Sequence, residues 1–367
     1  MGRGEWESQI AGKKPDLNLA KGTALEPLVT RKLRRRLRPL FETRVQRTVY
    51  PLVDDAHAIE LTVDRGTIDT GKRTVPLCEI ELELKRGTAA KLFEVARELT
   101  ATLPARLAVK SKSQRGYELI DGEQALPVKG DAIELPADAS ARDAFKMIGV
   151  ACLRQIIDNE PALMKGDPEG VHQMRVGLRR LRAAVSLFRV LLQGPQTAAI
   201  KAELKWLAGE LGPARELEVL MNRVVAPMRK RGGHWRGMPS LSHEIAQRRD
   251  AALKRARDAV DSARFRVLTL DVGAWLQAGQ WTTPQDDLVR DQGDLPIGDF
   301  AAGQLARRWR KVAKNLPNSM HAAVTSFASK PRNCAMRRNS FAACTGASEP
   351  RNGASNSIPP SSACRTG

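Results

Sequence analysis

Two groups of side chains are spaced for chemistry on anions. The first lies in VHQMRVGLRRLRAAVSLFRVLL, Val171 to Leu192. At about 100° per residue, a helix places His172, Arg175, Arg179 and Arg182 on one stripe, while Arg180 points elsewhere. The stripe recurs at i, i+3, i+7 and i+10, with almost no acidic partner within the helix. A histidine and three arginines on one face can hold a phosphate-like anion through charge-assisted hydrogen bonds. An ordinary solvated basic face is the alternative, since charged residues are mostly exposed. The ordered spacing and the scarcity of acids favour the anion site.

The second group lies in CEIELELK, Cys78 to Lys85. If this stretch is a strand, Glu79, Glu81 and Glu83 share one side and Ile80, Leu82 and Leu84 the other. Adjacent carboxylates repel, so they need a cation or basic neighbours. A hard divalent ion such as Mg2+ or Mn2+ suits them, because it takes oxygen ligands and bridges to phosphates. Glu60 and Asp64 share a face of AIELTVDRG by the same alternation and join the candidate metal ligands. Arg44, Lys110, Lys112 and Arg115 fall in neighbouring alternating stretches and are candidate phosphate clamps. On the residues alone, a surface sheet whose charges pair with one another is slightly the better reading.

The elements that must position these groups differ in period. Met174, Leu178, Leu181, Val185, Phe188 and Leu192 form an apolar stripe beside the basic one, so the Val171–Leu192 helix buries one face. From Phe41 the period is two: FETRVQRTVYPLV, AIELTVDRG, VPLCEIELELKRG and ARLAVKSKSQRGYELI read as four or more antiparallel strands. A helix, TAAKLFEVARELTATL, separates the third from the fourth. DAIELPADASARDAFKMIG (Asp131–Gly149) reads as a last short strand, a linker and a helix. From there to Lys314 only helices are expected, with loops at 166–168, 193–196, 229–237 and 281–287. The fold class is α+β followed by an all-α part.

Composition narrows the partners. A formal net charge of +19 over 367 residues implies a polyanion: nucleic acid, an anionic membrane surface or polyphosphate. Aromatics make up only 4%, which disfavours binding of single strands by base stacking, and no nucleic-acid motif is found. The basic run RKLRRRLRP (Arg31–Pro39) reads as a solvated helix end. No apolar run approaches the about 20 residues needed to span a bilayer. The N-terminus lacks an apolar core of the kind secretion signals carry. The five cysteines show no metal-like spacing, so a reduced cytoplasm is the expected compartment.

VHQMRVGLRRLR resembles the signature helix of the CHAD family, the conserved-histidine α-helical domain, at His172, Arg175, Arg179, Arg180 and Arg182. The resemblance continues through Trp206–Leu220, where family members usually read Arg-Asp and this chain has Arg215-Glu216, and through Arg264–Leu276. It implies a helical bundle whose basic faces bind inorganic polyphosphate. CEIELELKRG, Asp64–Gly66 and SKSQRGY (Ser111–Tyr117) are similar to the C-terminal half of a CYTH domain, an antiparallel β tunnel of the triphosphate tunnel metalloenzymes. CYTH followed by CHAD is the arrangement of bacterial inorganic triphosphatases, which use a metal to direct water onto a terminal phosphate. Carried onto this chain, the resemblance makes Glu79, Glu81 and Glu83 metal-facing and lets Arg44, Lys112 and Arg115 hold phosphates.

The expected division is a partial CYTH domain at 1–135, a linker at 136–143, the first part of a CHAD bundle at 144–314 and a tail at 315–367. No Glu-x-Glu-x-Lys strand, the family's first, precedes RGEWE (Arg3–Glu7), so the chain is expected to start partway through the tunnel. After Leu316 there is no leucine, and Glu349 is the only acid. Back-translation of Thr325–Phe341 and Ser357–Gly367 permits an adjacent frame resembling the second half of CHAD, so the tail is expected to be disordered or out of frame. Homo-oligomerisation would hide the strand edges such a partial tunnel leaves exposed. The expected function is polyphosphate or tripolyphosphate binding, with metal-dependent triphosphate hydrolysis as the alternative and nucleic-acid binding behind both.

Overall fold

The structure, a computed structural model, describes residue 9 and residues 16–122, 125–230 and 237–314. RGEWE at the start and the tail from residue 315 lie outside the described residues, so the readings placed on them are not addressed by it. The chain divides into two compact units, one formed by Met1–Gly87 with Lys110–Gln124 and the other by Thr88–Val109 with the chain from Ala125 onward.

In the first unit two short 3-10 turns, Leu17–Ala20 and Glu26–Leu28, precede a short exposed helix, α1 (Arg31–Arg36), capped by Thr30, whose hydroxyl accepts from the Leu33 N–H. An antiparallel meander follows: β1 (Glu42–Val53), β2 (Ala58–Asp69) and β3 (Thr74–Arg86), in the order β1-β2-β3. Alternating apolar residues and two tight turns produce it; Gly71 at the second turn has φ 77°, a left-handed conformation that glycine adopts at little cost. Opposite Asp64 stand Arg47 on β1 and Glu79 on β3, and opposite Thr62 stand Val49 and Glu81. One face of the sheet therefore carries the acidic row.

The fourth strand expected in ARLAVKSKSQRGYELI is not formed. Residues 112–121 are a helix, and only β1 to β3 make a sheet among the described residues. Ser111 and Gln114 form a reciprocal capping box, each side chain accepting from the other's backbone N–H, which nucleates a helix where alternation suggested a strand. The last short strand expected at Asp131–Leu135 is also absent. Farther on, Ser140 forms an isolated bridge with Pro296.

The second unit is helical: α2 (Ala89–Thr102), α4 (Ala141–Asp158), α5 (Glu160–Met164), α6 (Pro168–Leu187), α7 (Pro195–Leu220), α8 (Ala226–Lys230), α9 (Met238–Asp261), α10 (Ala263–Ala278), α11 (Asp287–Asp294) and α12 (Ile297–Lys314). The remaining helix, α3 (Lys112–Asp121), belongs to the first unit. A five-residue π turn (Met221–Val225) joins α7 to α8. The apolar stripe of α6 is buried as its period predicts, Met174 and Leu181 fully. Each such side chain stabilises the fold by about 1.5–3 kcal/mol. The helix ends at Leu187 rather than Leu192, because the chain must turn before Pro195 starts α7; Phe188, Leu191 and Leu192 are buried from that turn. Phe145, Phe188, Trp275, Trp281 and Phe300 interlock at centroid distances of 4.9–5.5 Å, edge-on, tilted or stacked. No described helix is long and apolar enough to cross a membrane.

Candidate functional site

In the helical unit, the basic stripe sits on α6 beside α7. Asp167 caps α6, accepting from the Glu169 N–H, and Pro168 pre-sets its first turn. The buried stripe then fixes the helix's rotation, so that His172 and Arg175 are half-buried and Arg179 and Arg182 exposed. Arg175 reaches to α7, where its Nη1 donates to the Ala208 carbonyl at 3.3 Å. Gly212 leaves room for it: a Cβ there would stand 3.2 Å from that nitrogen. Pro213, inside α7, removes one helical hydrogen bond next to the same place.

Arg215 on α7 completes the cluster, and spacing along α6 alone could not reveal it. Burial, then the charge of Arg215, hold the His172 imidazole below its ordinary pKa, with Arg179 and Arg175 adding and Glu169 opposing. Burial likewise lowers the Arg175 pKa, partly offset by Glu216 and reinforced by Arg179 and Arg215. These shifts express one condition: like charges gathered in a partly dry place. Among the described residues none of Arg175, Arg179, Arg182 and Arg215 has a carboxylate within 4.0 Å. Other arginines of the unit do, such as Arg255 with Glu210 and Arg264 with Glu203. Arg180 serves the fold instead, donating to Gln155 Oε1 at 3.0 Å and to the Asp131 carbonyl at 3.2 Å.

In the sheet unit the acidic row is neutralised from within. α3 lies across the charged face, anchored where Leu119 packs with Ile68 and Leu77. Its first turn delivers Lys112, whose Nζ lies 2.9 Å from Asp64, 2.9 Å from Glu79 and 2.5 Å from Glu81. Arg47 bonds both oxygens of Asp64, at 2.8 and 2.7 Å, and also Glu81 at 2.8 Å. Arg115 holds Glu79. Asp64 is fully buried, and the hydrogen bonds from Arg47, followed by those from Lys112, outweigh burial and bring its pKa down to about 2.

The other sequence candidates fall elsewhere. Arg44 stands on the opposite face of the sheet and pairs with Glu42 at 2.9 Å, because alternation puts residues 44 and 47 on different sides. Lys110 is not on a strand and pairs with Glu118 at 2.8 Å. Glu83 is exposed and pairs with Lys85 at 2.7 Å, which also approaches Glu60 at 3.9 Å. Arg47, absent from the sequence candidates, is the strand arginine that meets the acids.

A divalent metal, implied by the resemblance, can be tested against these residues. Among the described residues no group of three or more His, Cys, Asp or Glu is arranged to hold a metal ion. The point at which Asp64, Glu79 and Glu81 converge holds the Lys112 ammonium. The acidic row does not fit a divalent ion in this arrangement.

Comparison with known proteins gives three findings. Residues 148–333, half of the chain, match the CHAD domain, and residues 1–117 match the CYTH domain. An inorganic triphosphatase of Haemophilus influenzae is 35% identical over 83 residues, which are 23% of this chain and 24% of that protein. The crystal structure of the CHAD domain from the plant Ricinus communis is similar at 30% identity and a TM-score of 0.43, over 56% of this chain and 67% of that one.

Proposed function

This chain belongs to the CHAD domain family, and we propose that it binds inorganic polyphosphate or tripolyphosphate on the basic surface shared by α6 and α7. One observation carries the proposal: His172, Arg175, Arg179 and Arg215 are gathered with no carboxylate within ion-pair distance of the arginines among the described residues. A partly desolvated group of cations that Glu216 and Glu169 offset only in part gains from any anion that enters it. A chain of phosphates offers oxygens to several guanidinium forks at once. Arg182, exposed a turn beyond Arg179, would extend the track for a longer chain.

The second reading is metal-dependent hydrolysis of tripolyphosphate, favoured by the 83-residue similarity to an inorganic triphosphatase. It would require Glu79 and Glu81, with Glu60, Glu83 and Asp64 as further ligands, to release their cations and take up Mg2+ or Mn2+. Lys112, Arg115 and Arg47 would then turn to the phosphates. Two assays on the full chain separate the readings. Calorimetric titration with tripolyphosphate in a metal chelator is expected to show binding. Incubation with excess Mg2+ is expected to release orthophosphate no faster than buffer does. Release abolished by Glu81→Ala, with no binding in chelator, would reverse the assignment.

A further inference from the structure

We propose that Lys112 is a built-in cation: its ammonium takes the place among Asp64, Glu79 and Glu81 that a divalent ion would need, so this sheet binds neither Mg2+ nor Mn2+. The inference concerns the sheet unit and stands apart from the anion site on α6. It starts from geometry. An ammonium has three N–H donors, and Lys112 has one carboxylate oxygen for each, at 2.9, 2.9 and 2.5 Å. A small divalent ion makes a different demand, six oxygens at about 2.0–2.1 Å for Mg2+. The other oxygen of each carboxylate is engaged as well: Arg47 holds those of Asp64 and Glu81, and Arg115 holds that of Glu79. At the point where Asp64, Glu79 and Glu81 converge, three carboxylates thus meet three side-chain cations, and that cluster carries no surplus negative charge to attract a fourth.

The arrangement is held by more than charge. Lys112 is the first residue of α3, where a positive side chain opposes the helix dipole, so its position depends on the acids it meets. The capping box at Ser111 fixes the start of α3. At the other end Leu119 is buried against Ile68 and Leu77, and Gly116 faces the Phe41 ring so closely that a Cβ would stand 2.5 Å from it. The ammonium is presented by a docked helix, and a metal would have to displace it along with the arginine contacts.

The test is Mn2+ titration of the full chain, followed by the electron paramagnetic resonance of free Mn2+. In the parent protein, Glu81→Gln is expected to leave the binding curve unchanged, because no ion is held there. Lys112→Met, which keeps the length and removes the charge, is expected to gain one Mn2+ per chain bound at least about tenfold more tightly than any ion on the parent. A bound Mn2+ in the parent that Glu81→Gln removes would overturn the inference. So would a Lys112→Met protein with parental circular dichroism that gains no ion. If Lys112→Met does not fold, the comparison of the parent with Glu81→Gln decides by itself.

Discussion

The guanidinium of Arg175 on α6 donates to the backbone carbonyl of Ala208 on α7 at 3.3 Å. With five N–H donors and, among the described residues, one protein acceptor, the side chain is oriented by α7 and keeps donors for a ligand. The two helices therefore share one basic surface. That surface contrasts with the acidic face of the sheet unit, where every central carboxylate meets a cation of the chain itself.

Gly212 tests whether this placement matters. Replacing it by Ala puts a Cβ 3.2 Å from Arg175 Nη1, so the guanidinium must shift by a few tenths of an ångström. In the interior of a helix the same change stabilises by about 0.5–1 kcal/mol. Gly212→Ala is expected to raise or preserve the thermal midpoint while weakening tripolyphosphate binding several-fold. Calorimetry and thermal unfolding on the same sample check both halves.

Binding is expected to take up a proton at His172. Burial and Arg215 hold its pKa below the ordinary value of about 6.5, and an arriving anion reverses that field. Affinity for tripolyphosphate therefore rises as pH falls through the range below 6.5. Stability of the free protein moves the other way. The unfolded histidine binds the proton more readily, so its contribution is fully present above about 6.5 and declines as pH falls toward the lower folded value. His172→Ala should reduce the pH slope of binding to the part set by the ligand's own protonation, and resonances of the ring read both states.

Much of this could be read from the chain, and the failures have local causes. The buried stripe of α6 and the acidic row of β3 each follow from a single period, 3.6 or 2, and both formed as expected. Arg47 does not stand out in the sequence, because period alone cannot tell which strand arginine lies opposite Asp64; that is set by the register of β1 on β2. Alternation puts Lys112 and Arg115 on a strand, although the Ser111–Gln114 spacing marks a helix start, a signal that competes with alternation over a few residues. Arg215 joins His172 only through the packing of α7 on α6, which no spacing along one helix encodes.

Asp64 ties the sheet unit together. Its folded pKa of about 2 lies below the unfolded carboxylate's 3.8, so its stabilisation is complete above the higher value and is lost as pH falls toward the lower. Asp64→Ala leaves Arg47 and Lys112 without their buried partner and is expected to destabilise the unit by about 3 kcal/mol. Chemical denaturation followed through the β signal measures it. The acid limb of the parent's pH–stability curve should flatten in the variant.

Net charge alone would also attract nucleic acid, and competition separates the cases. At equal phosphate concentration and moderate salt, long-chain polyphosphate is expected to displace duplex DNA from the protein, because a flexible chain can bring its phosphates to the cations of α6 and α7 where a stiff duplex cannot bend to them. Fluorescence anisotropy of labelled DNA reports the exchange.

The most direct measurement is polyphosphate binding by the triple variant His172→Ala, Arg175→Ala, Arg179→Ala, compared with the parent chain by calorimetry in the presence of chelator. Charge-assisted hydrogen bonds from two arginines at about 1.5 kcal/mol each correspond to about a hundredfold loss of affinity, and that loss, with the helical signal intact, is the expected result. Parental affinity in the folded triple variant would contradict an anion site on α6.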